Sequence, residues 1–358
     1  MLLLLVSIVI ITSFMTLDKN FSKDYSNILV LILYIITVLI IAGRYGNSDY
    51  FGYFSFYNKM KLESDIGFFK TNHVETFYAL LAIFEKIIFG NFVLFLILFT
   101  SISIAFKYLI FKKLSPFIFL SILLYSSNFM FKDYIQIRNA MSSGIVLYSL
   151  IFITESKILK YYLFNYFAII NHAMAWTAIP LYMLKNIQTR KILLFALILS
   201  FIISIAVGNV TNSLGKLLYS QGFYEEKVIG RIVHGSKYGG DAKWLSISNI
   251  LFAFLSFFFI KRFHDFEKIS KYAKVLIIAY IYGFCLFLIF HDFKILAGRF
   301  FDMYCIPTLC ILLPMSLKLY NGFYKTIFLF FIYLYVFYNF TINNGEYILN
   351  YESILWHL

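Results

Sequence analysis

The feature that most constrains this chain is a series of apolar runs, near residues 1–17, 25–42, 92–111, 114–131, 139–153, 161–184, 192–207, 244–260, 275–291, 300–317 and 325–340. At about 1.5 Å of rise per helical residue, most of them can cross roughly 30 Å of hydrocarbon. A chain that folds in water has no use for so many. Hydrophobic residues make up 61% of the sequence and charged residues 14%, against roughly 45–50% and 25% in globular domains. Disorder, collagen, a coiled coil and a cytosolic enzyme are thereby excluded. A membrane barrel would alternate polar and apolar residues over strands of about 10 residues, whereas these runs are continuous. The sequence predicts an all-α, polytopic integral membrane protein of about 10–12 transmembrane helices. With no internal repeat and no low-complexity linker, residues 1–358 read as a single transmembrane domain.

Basic residues punctuate the runs. The connectors 18–24, 107–113, 154–160, 185–191, 261–274 and 318–325 hold 17 of the 31 Lys and Arg. By the positive-inside rule these face the cytoplasm. Both termini, the segment 43–91 and the large loop 208–243 then face outward. The net charge of +13 is explained by topology and needs no nucleic acid. The first run lacks a basic leader region and an A-x-A cleavage site, so it reads as a retained anchor. Cys285, Cys305 and Cys310 form no C-x-x-C pair and read as packing thiols.

One run resists this scheme. Residues 161–184 are flanked by Lys157 and Lys160 on one side and by Lys185, Arg190 and Lys191 on the other. Both flanks belong in the cytoplasm, yet a single span would separate them. A hairpin of two half-length helices, broken at Asn171 and His172, resolves the conflict. Irregular backbone at membrane depth is tolerated only inside protein or beside a wet cavity. By the same logic residues 73–90, with Glu75, Glu85 and Lys86, form a short helix on or partly in the outer face.

Several polar residues are expected at that outer face. Asp49, Tyr53 and Tyr57 recur every fourth residue and share one helix face, offering a carboxylate beside phenols that suits sugar hydroxyls or general-base work. The same spacing also fits an N-cap followed by an interfacial aromatic belt. Glu75 follows Asn72 by three residues, as in a capping box. Arg138 opens a span just after Lys132 and Asp133, where an arginine can snorkel to water or grip phosphate oxygens. His172 is an ionisable group in apolar surroundings, and Arg299 precedes Asp302 by one helical turn. The His and Cys spacings support no metal, and no phosphate-binding loop, GxGxxG, HExxH or nucleophile elbow is present.

The ordered set RYGNSDYFGYFSFY, VETFYALL, IQIRNAM, INHAMAW and GRFFDMYCIP, running from Arg44 to Pro307, resembles the EpsG family of bacterial membrane proteins, grouped with Wzy-type O-antigen and capsule polymerases. The chain departs from the family at Ala173, where a serine is usual after the histidine. The resemblance implies a polymerase on the outer face of the bacterial inner membrane that uses undecaprenyl-diphosphate-linked oligosaccharides. It would transfer the growing glycan to a new lipid-linked repeat and release undecaprenyl diphosphate, with no cofactor and no metal. In that scheme Arg138, Arg299 and Arg44 bind pyrophosphate, His172 or Asp49 takes the acceptor proton, and Tyr53, Tyr57 and Glu75 orient sugar. A chain-length regulator is the implied protein partner. The competing expectations are a flippase for the same lipid-linked repeat and a membrane acyltransferase.

Overall fold

The computed structural model describes residues 23–46, 48–60, 75–128, 130–187, 189–207, 247–291, 294–349 and 351–353. The first apolar run, Asn72 and the loop 208–243 lie outside the described residues. The fold is all-α, apart from one two-residue strand pair, and consistent with a polytopic membrane protein. Among the described residues, four helices are long and apolar enough to cross a membrane: Phe92–Leu114, Ile137–Thr154, Leu296–Leu319 and Gly322–Ile342. Five more apolar helices are shorter, at 10–17 residues. The 310 turn Ala173–Ala178 interrupts the run 161–184, whereas the π turn Phe301–Cys305 falls within one spanning helix and the π turn Asn339–Asn343 ends another.

The chain divides into two compact units, residues 1–182 with 309–358, and residues 183–308. The first contains α1 (Lys23–Ala42), β1 (Arg44–Tyr45), α2 (Ser48–Lys59), α3 (Thr76–Ile88), α4 (Phe92–Leu114), α5 (Ile118–Asn128), α6 (Met130–Ile135), α7 (Ile137–Thr154) and α8 (Ile158–Asn171). After α8 come a 310 turn (Ala173–Ala178) and α9 (Leu181–Leu184), which runs into the second unit. Asn91 caps α4 by accepting from the amides of Val93 at 2.9 Å and Leu94 at 3.3 Å, and Lys112 and Lys113 in its last turn complement the helix dipole. Gly90, at φ +64°, ends α3 in the left-handed region that glycine adopts without strain.

Hydroxyls inside the bundle find backbone acceptors, as an interior without water requires. Thr37 and Ser126 donate to carbonyls four residues back on their own helices. Tyr34 donates to the Ser101 carbonyl at 3.0 Å, joining α1 to α4. Ser142 donates to the Ala168 carbonyl at 2.8 Å, fixing α7 antiparallel to α8. At one end of this unit Lys113 meets Glu155 at 3.3 Å, and hydrogen bonds from Lys157 and Lys113 hold the Glu155 carboxyl down at about 2. Two connectors that charge sorting put on one side thus meet. At the other end Arg44 pairs with Ser353 in the strand ladder, and Tyr351 donates to the Ile40 carbonyl at 3.0 Å.

Residues 161–184 form the expected hairpin. The helix ends at Asn171, and His172 is extended at φ −159°. An unbroken helix would separate Tyr161 from Tyr182 by about 32 Å. Their ring centroids are 5.5 Å apart.

Over the run 114–131 the described residues include α5 and the start of α6. The end of α5 is tied to α16 (Gly322–Tyr338) and the turns after it, by Tyr335 donating to Asn128 at 2.6 Å and Asn344 to the Ser127 carbonyl at 2.8 Å. One expectation needs correction. Lys107, assigned above to a cytoplasmic connector, is instead fully buried inside α4. Its Nζ lies 2.6 Å from both carboxylate oxygens of Asp133, which was placed on the outer side. Tyr125 and Ser103 donate to the same carboxylate, each at 2.7 Å. The lysine is held inside because its partner, 26 residues further on, enters from α6 with enough donors to replace water.

In the second unit lie α10 (Arg190–Val207), α11 (Ile247–Lys261), α12 (Phe263–Ile269), α13 (Ala273–Ile289) and α14 (Lys294–Phe300). A π turn, Phe301–Cys305, leads on into α15 (Ile306–Ser316). Arg190 reaches the Lys261 carbonyl at 3.0 Å, joining two further connectors of the basic set. Gly283 is required by contact: a Cβ there would lie 2.4 Å from the Cβ of Tyr304. Cys305 and Cys310 are buried and unbonded to each other, as packing thiols should be.

Removing one partner of a buried ion pair leaves a bare charge in an apolar interior. Asp133→Asn or Lys107→Met is therefore expected to cost about 3–5 kcal/mol, against under about 1 kcal/mol for Lys113→Ala at the exposed Glu155 pair. Melting temperatures of the purified protein in detergent check this ordering.

Candidate functional site

The first unit gathers its charged residues around one phenol. Arg44 leaves α1 through β1, and its side chain is 0% exposed. Nη1 donates to the carbonyls of Asp133, at 3.1 Å, and Tyr134. The guanidinium carbon sits 5.7 Å from the Tyr53 ring centroid and 5.9 Å from that of Tyr134. Nε and Nη2 have no hydrogen-bond partner. Burial pushes its pKa down, against the opposing pull of Tyr53, Tyr134 and Asp49. An arginine still keeps its charge in such a place.

Tyr53 lies on the buried face of α2. The guanidinium of Arg138 approaches its ring to 5.5 Å, so two arginines share one π system. Burial raises the Tyr53 pKa, with Arg138 lowering it and Asp49 raising it. Tyr53 is accordingly a neutral hydrogen-bonding group at physiological pH. Its backbone carbonyl accepts from Tyr78 of α3 at 2.9 Å. Asp49, in the first turn of α2, is half-buried and acts electrostatically on both Arg44 and Tyr53.

Arg138 is the second residue of α7. The N-cap position of that helix, Gln136, makes no side-chain cap hydrogen bond. A cation there faces the positive end of the helix dipole, so an anion nearby is needed to balance both. Glu75 supplies it, pairing with Arg138 Nη1. Glu75 itself stands at the N-cap of α3 and forms no cap hydrogen bond. The capping-box reading of Glu75 is thereby corrected: its carboxylate crosses to Arg138 and leaves its own helix uncapped.

The structure brings together Arg44, Asp49, Tyr53, Glu75 and Arg138, from four elements: β1, α2, the start of α3 and α7. Tyr57 goes elsewhere. It is buried and donates its hydroxyl to Glu85, whose other oxygen takes the Asn91 amide at 3.0 Å. Burial and that carboxylate raise the Tyr57 pKa. The stripe of Tyr53 and Tyr57 that the spacing predicts to meet sugar is thus the packed face of α2. His172 caps the 310 turn, its Nδ1 accepting from the Met174 amide at 3.2 Å. The Ser142 to Ala168 bond sets a register in which His172 and Asn171 are level with Arg138 and Asn139. Arg299 belongs to the second unit, half-buried near the end of α14.

Polar atoms without partners collect at this level. They include Oε1 of Gln136, Nε of Arg138, both amide atoms of Asn139 and Oδ1 of Asn171, besides the two nitrogens of Arg44. Buried polar groups are nearly always paired in native proteins, so such a concentration of open donors and acceptors marks a place suited to a polar visitor. No group of three or more His, Cys, Asp or Glu able to hold a metal occurs among the described residues.

Sequence reasoning missed Tyr78, Glu85, Tyr134 and the Lys107–Asp133 pair. A usable signal existed for two of them: Tyr78 lies one turn beyond Glu75, and Lys107 is set apart from Lys112 within an apolar stretch.

Fold and side-chain geometry together define a polytopic helical membrane protein in which two arginines and two carboxylates gather around one phenol in the first unit. The model of the EpsG family matches residues 27–353, and the chain belongs to that family. The family is Wzy-type polymerase-like, which assigns a polysaccharide-polymerase-like role. A search of the curated proteins and a search of the solved structures returned no match.

His172 can be separated into its two roles by substitution. Asparagine is a good N-cap and alanine is not. His172→Asn is expected to keep the melting temperature of the wild type, while His172→Ala loses about 1 kcal/mol.

Proposed function

We propose that this protein polymerises undecaprenyl-diphosphate-linked oligosaccharides on the outer face of the bacterial inner membrane, building O-antigen, capsule or exopolysaccharide. A hydroxyl of the incoming lipid-linked repeat attacks the anomeric carbon of the growing glycan. The bond from that carbon to the diphosphate oxygen breaks, and undecaprenyl diphosphate leaves. The observation that carries this reading is the pair of arginines around Tyr53: one wholly buried with two nitrogens left without partners, the other in the first turn of a helix whose N-cap side chain makes no cap bond. Preorganised positive charge at the leaving group stabilises the charge that develops there.

In this reading Arg138, which is 22% exposed, touches the diphosphate. Arg44, fully covered by protein, supplies field from behind. Arg299 is a separate pyrophosphate-binding proposal on its own unit. Asp49 takes the proton of the attacking hydroxyl. His172 is the less favoured base, because an Nδ1 that accepts from Met174 leaves the proton on Nε2 and makes that nitrogen a donor. Tyr53, on the packed face of α2, holds the two guanidinium groups in place, and a chain-length regulator is the protein partner. A resident metal or cofactor has no part in the scheme, since the diphosphate lipid already activates the donor.

Arg138→Ala and Arg299→Ala are each expected to leave membrane insertion intact and to cut polymerisation on the order of 100-fold or more. Gels of surface polysaccharide would then show one-repeat glycan in place of long chains. Normal chain length in both variants sinks the pyrophosphate reading. Deletion of the gene distinguishes the rival: complete loss of the glycan, with no one-repeat form, would point to a flippase.

A further inference from the structure

Glu75 stands where a capping side chain would stand, yet its carboxylate is spent on Arg138. The two side chains are 20% and 22% exposed, unlike Arg44 behind them, which is fully buried. We propose that Glu75 is a resident anion of the diphosphate site: it occupies Arg138 between turnovers, yields it to the lipid-linked substrate, and returns to expel the diphosphate product. This inference rests on the pyrophosphate-binding reading of the same site.

Charge balance supplies the argument. Arg138 and the N-terminus of α7 are both positive and need an anion in every state of the cycle. Without substrate, Glu75 is that anion. A diphosphate carries more charge and more acceptor oxygens than one carboxylate. It can engage the guanidinium fork and the amides of the first turn of α7 together, so it displaces the carboxylate. The product creates the opposite problem. It bears the same diphosphate as the donor, so the contacts that draw the donor in would also hold the product, and product release often limits turnover. A carboxylate tethered next to the arginine competes at an effective concentration that no free anion matches. Its return to Arg138 opens the site for the next donor.

The test uses the purified full-length protein in nanodiscs, titrated calorimetrically with inorganic pyrophosphate. Arg138→Ala is expected to lose binding. Glu75→Gln, which removes the competing charge and keeps the shape, is expected to bind pyrophosphate about 5- to 10-fold more tightly than wild type. A structural role for Glu75 predicts the reverse, since loss of a brace would weaken the site. If Glu75→Gln does not fold, Glu75→Asp keeps the charge but shortens its reach, and it too is expected to bind more tightly. Wild-type binding without tightening in the folded variant overturns the resident-anion role and leaves the anion site standing. Absence of pyrophosphate binding by the wild type overturns both.

Discussion

The Asp133 carboxylate anchors the first unit. Lys107, Ser103 and Tyr125 all direct donors at it, from two helices that flank α6. A charge at this depth is tolerable only because the donors replace its water. The consequence reaches beyond stability. The ion pair holds α6 against α4, and the carbonyls of Asp133 and Tyr134 in α6 are the acceptors for Arg44 Nη1. A buried pair within the bundle thus sets the position of a cation at its end.

From Arg44 the organisation passes to Tyr53. Two guanidinium groups near one ring would repel each other strongly in a medium of low dielectric. The ring faces moderate that repulsion, as do Asp49 on one side and Glu75 on the other. The cluster holds two arginines and two carboxylates, and the carboxylates differ in kind. Asp49 sits in the first turn of α2, where the helix dipole also favours it. Glu75, at the N-cap of α3, is favoured by its own helix dipole as well, but it is paired directly with the part-exposed Arg138.

The sequence predicts the architecture well where two rules constrain the same residues. Helices follow from apolar runs of spanning length. The hairpin at His172 follows from a conflict between hydropathy and charge that only one geometry resolves. Partnerships were not legible. A lysine in a sequence reads as the end of a span, and nothing local reveals that Lys107 meets a carboxylate 26 residues away. Helical spacing puts Tyr53 and Tyr57 on one face but does not say which way that face points. Glu85, which turns Tyr57 inward, lies 28 residues off. Arg44, Asp49, Glu75 and Arg138 were found because charges in an apolar chain are few. Their mutual arrangement needed the fold.

The break at His172 explains how a polar site can exist in such a chain at all. Had α8 continued through Asn171 and His172, those side chains would have been carried past the level of Arg138 on a helix whose backbone was already satisfied. Ending there turns the backbone back, gives His172 an amide to cap, and leaves Asn171 beside the first turn of α7. α7 meanwhile begins at the same level with an uncapped N-terminus. Two helix ends, one from each side of the conflict in the sequence, thereby meet at one depth. Backbone and side-chain polarity is concentrated there while the rest of the bundle presents apolar residues outward.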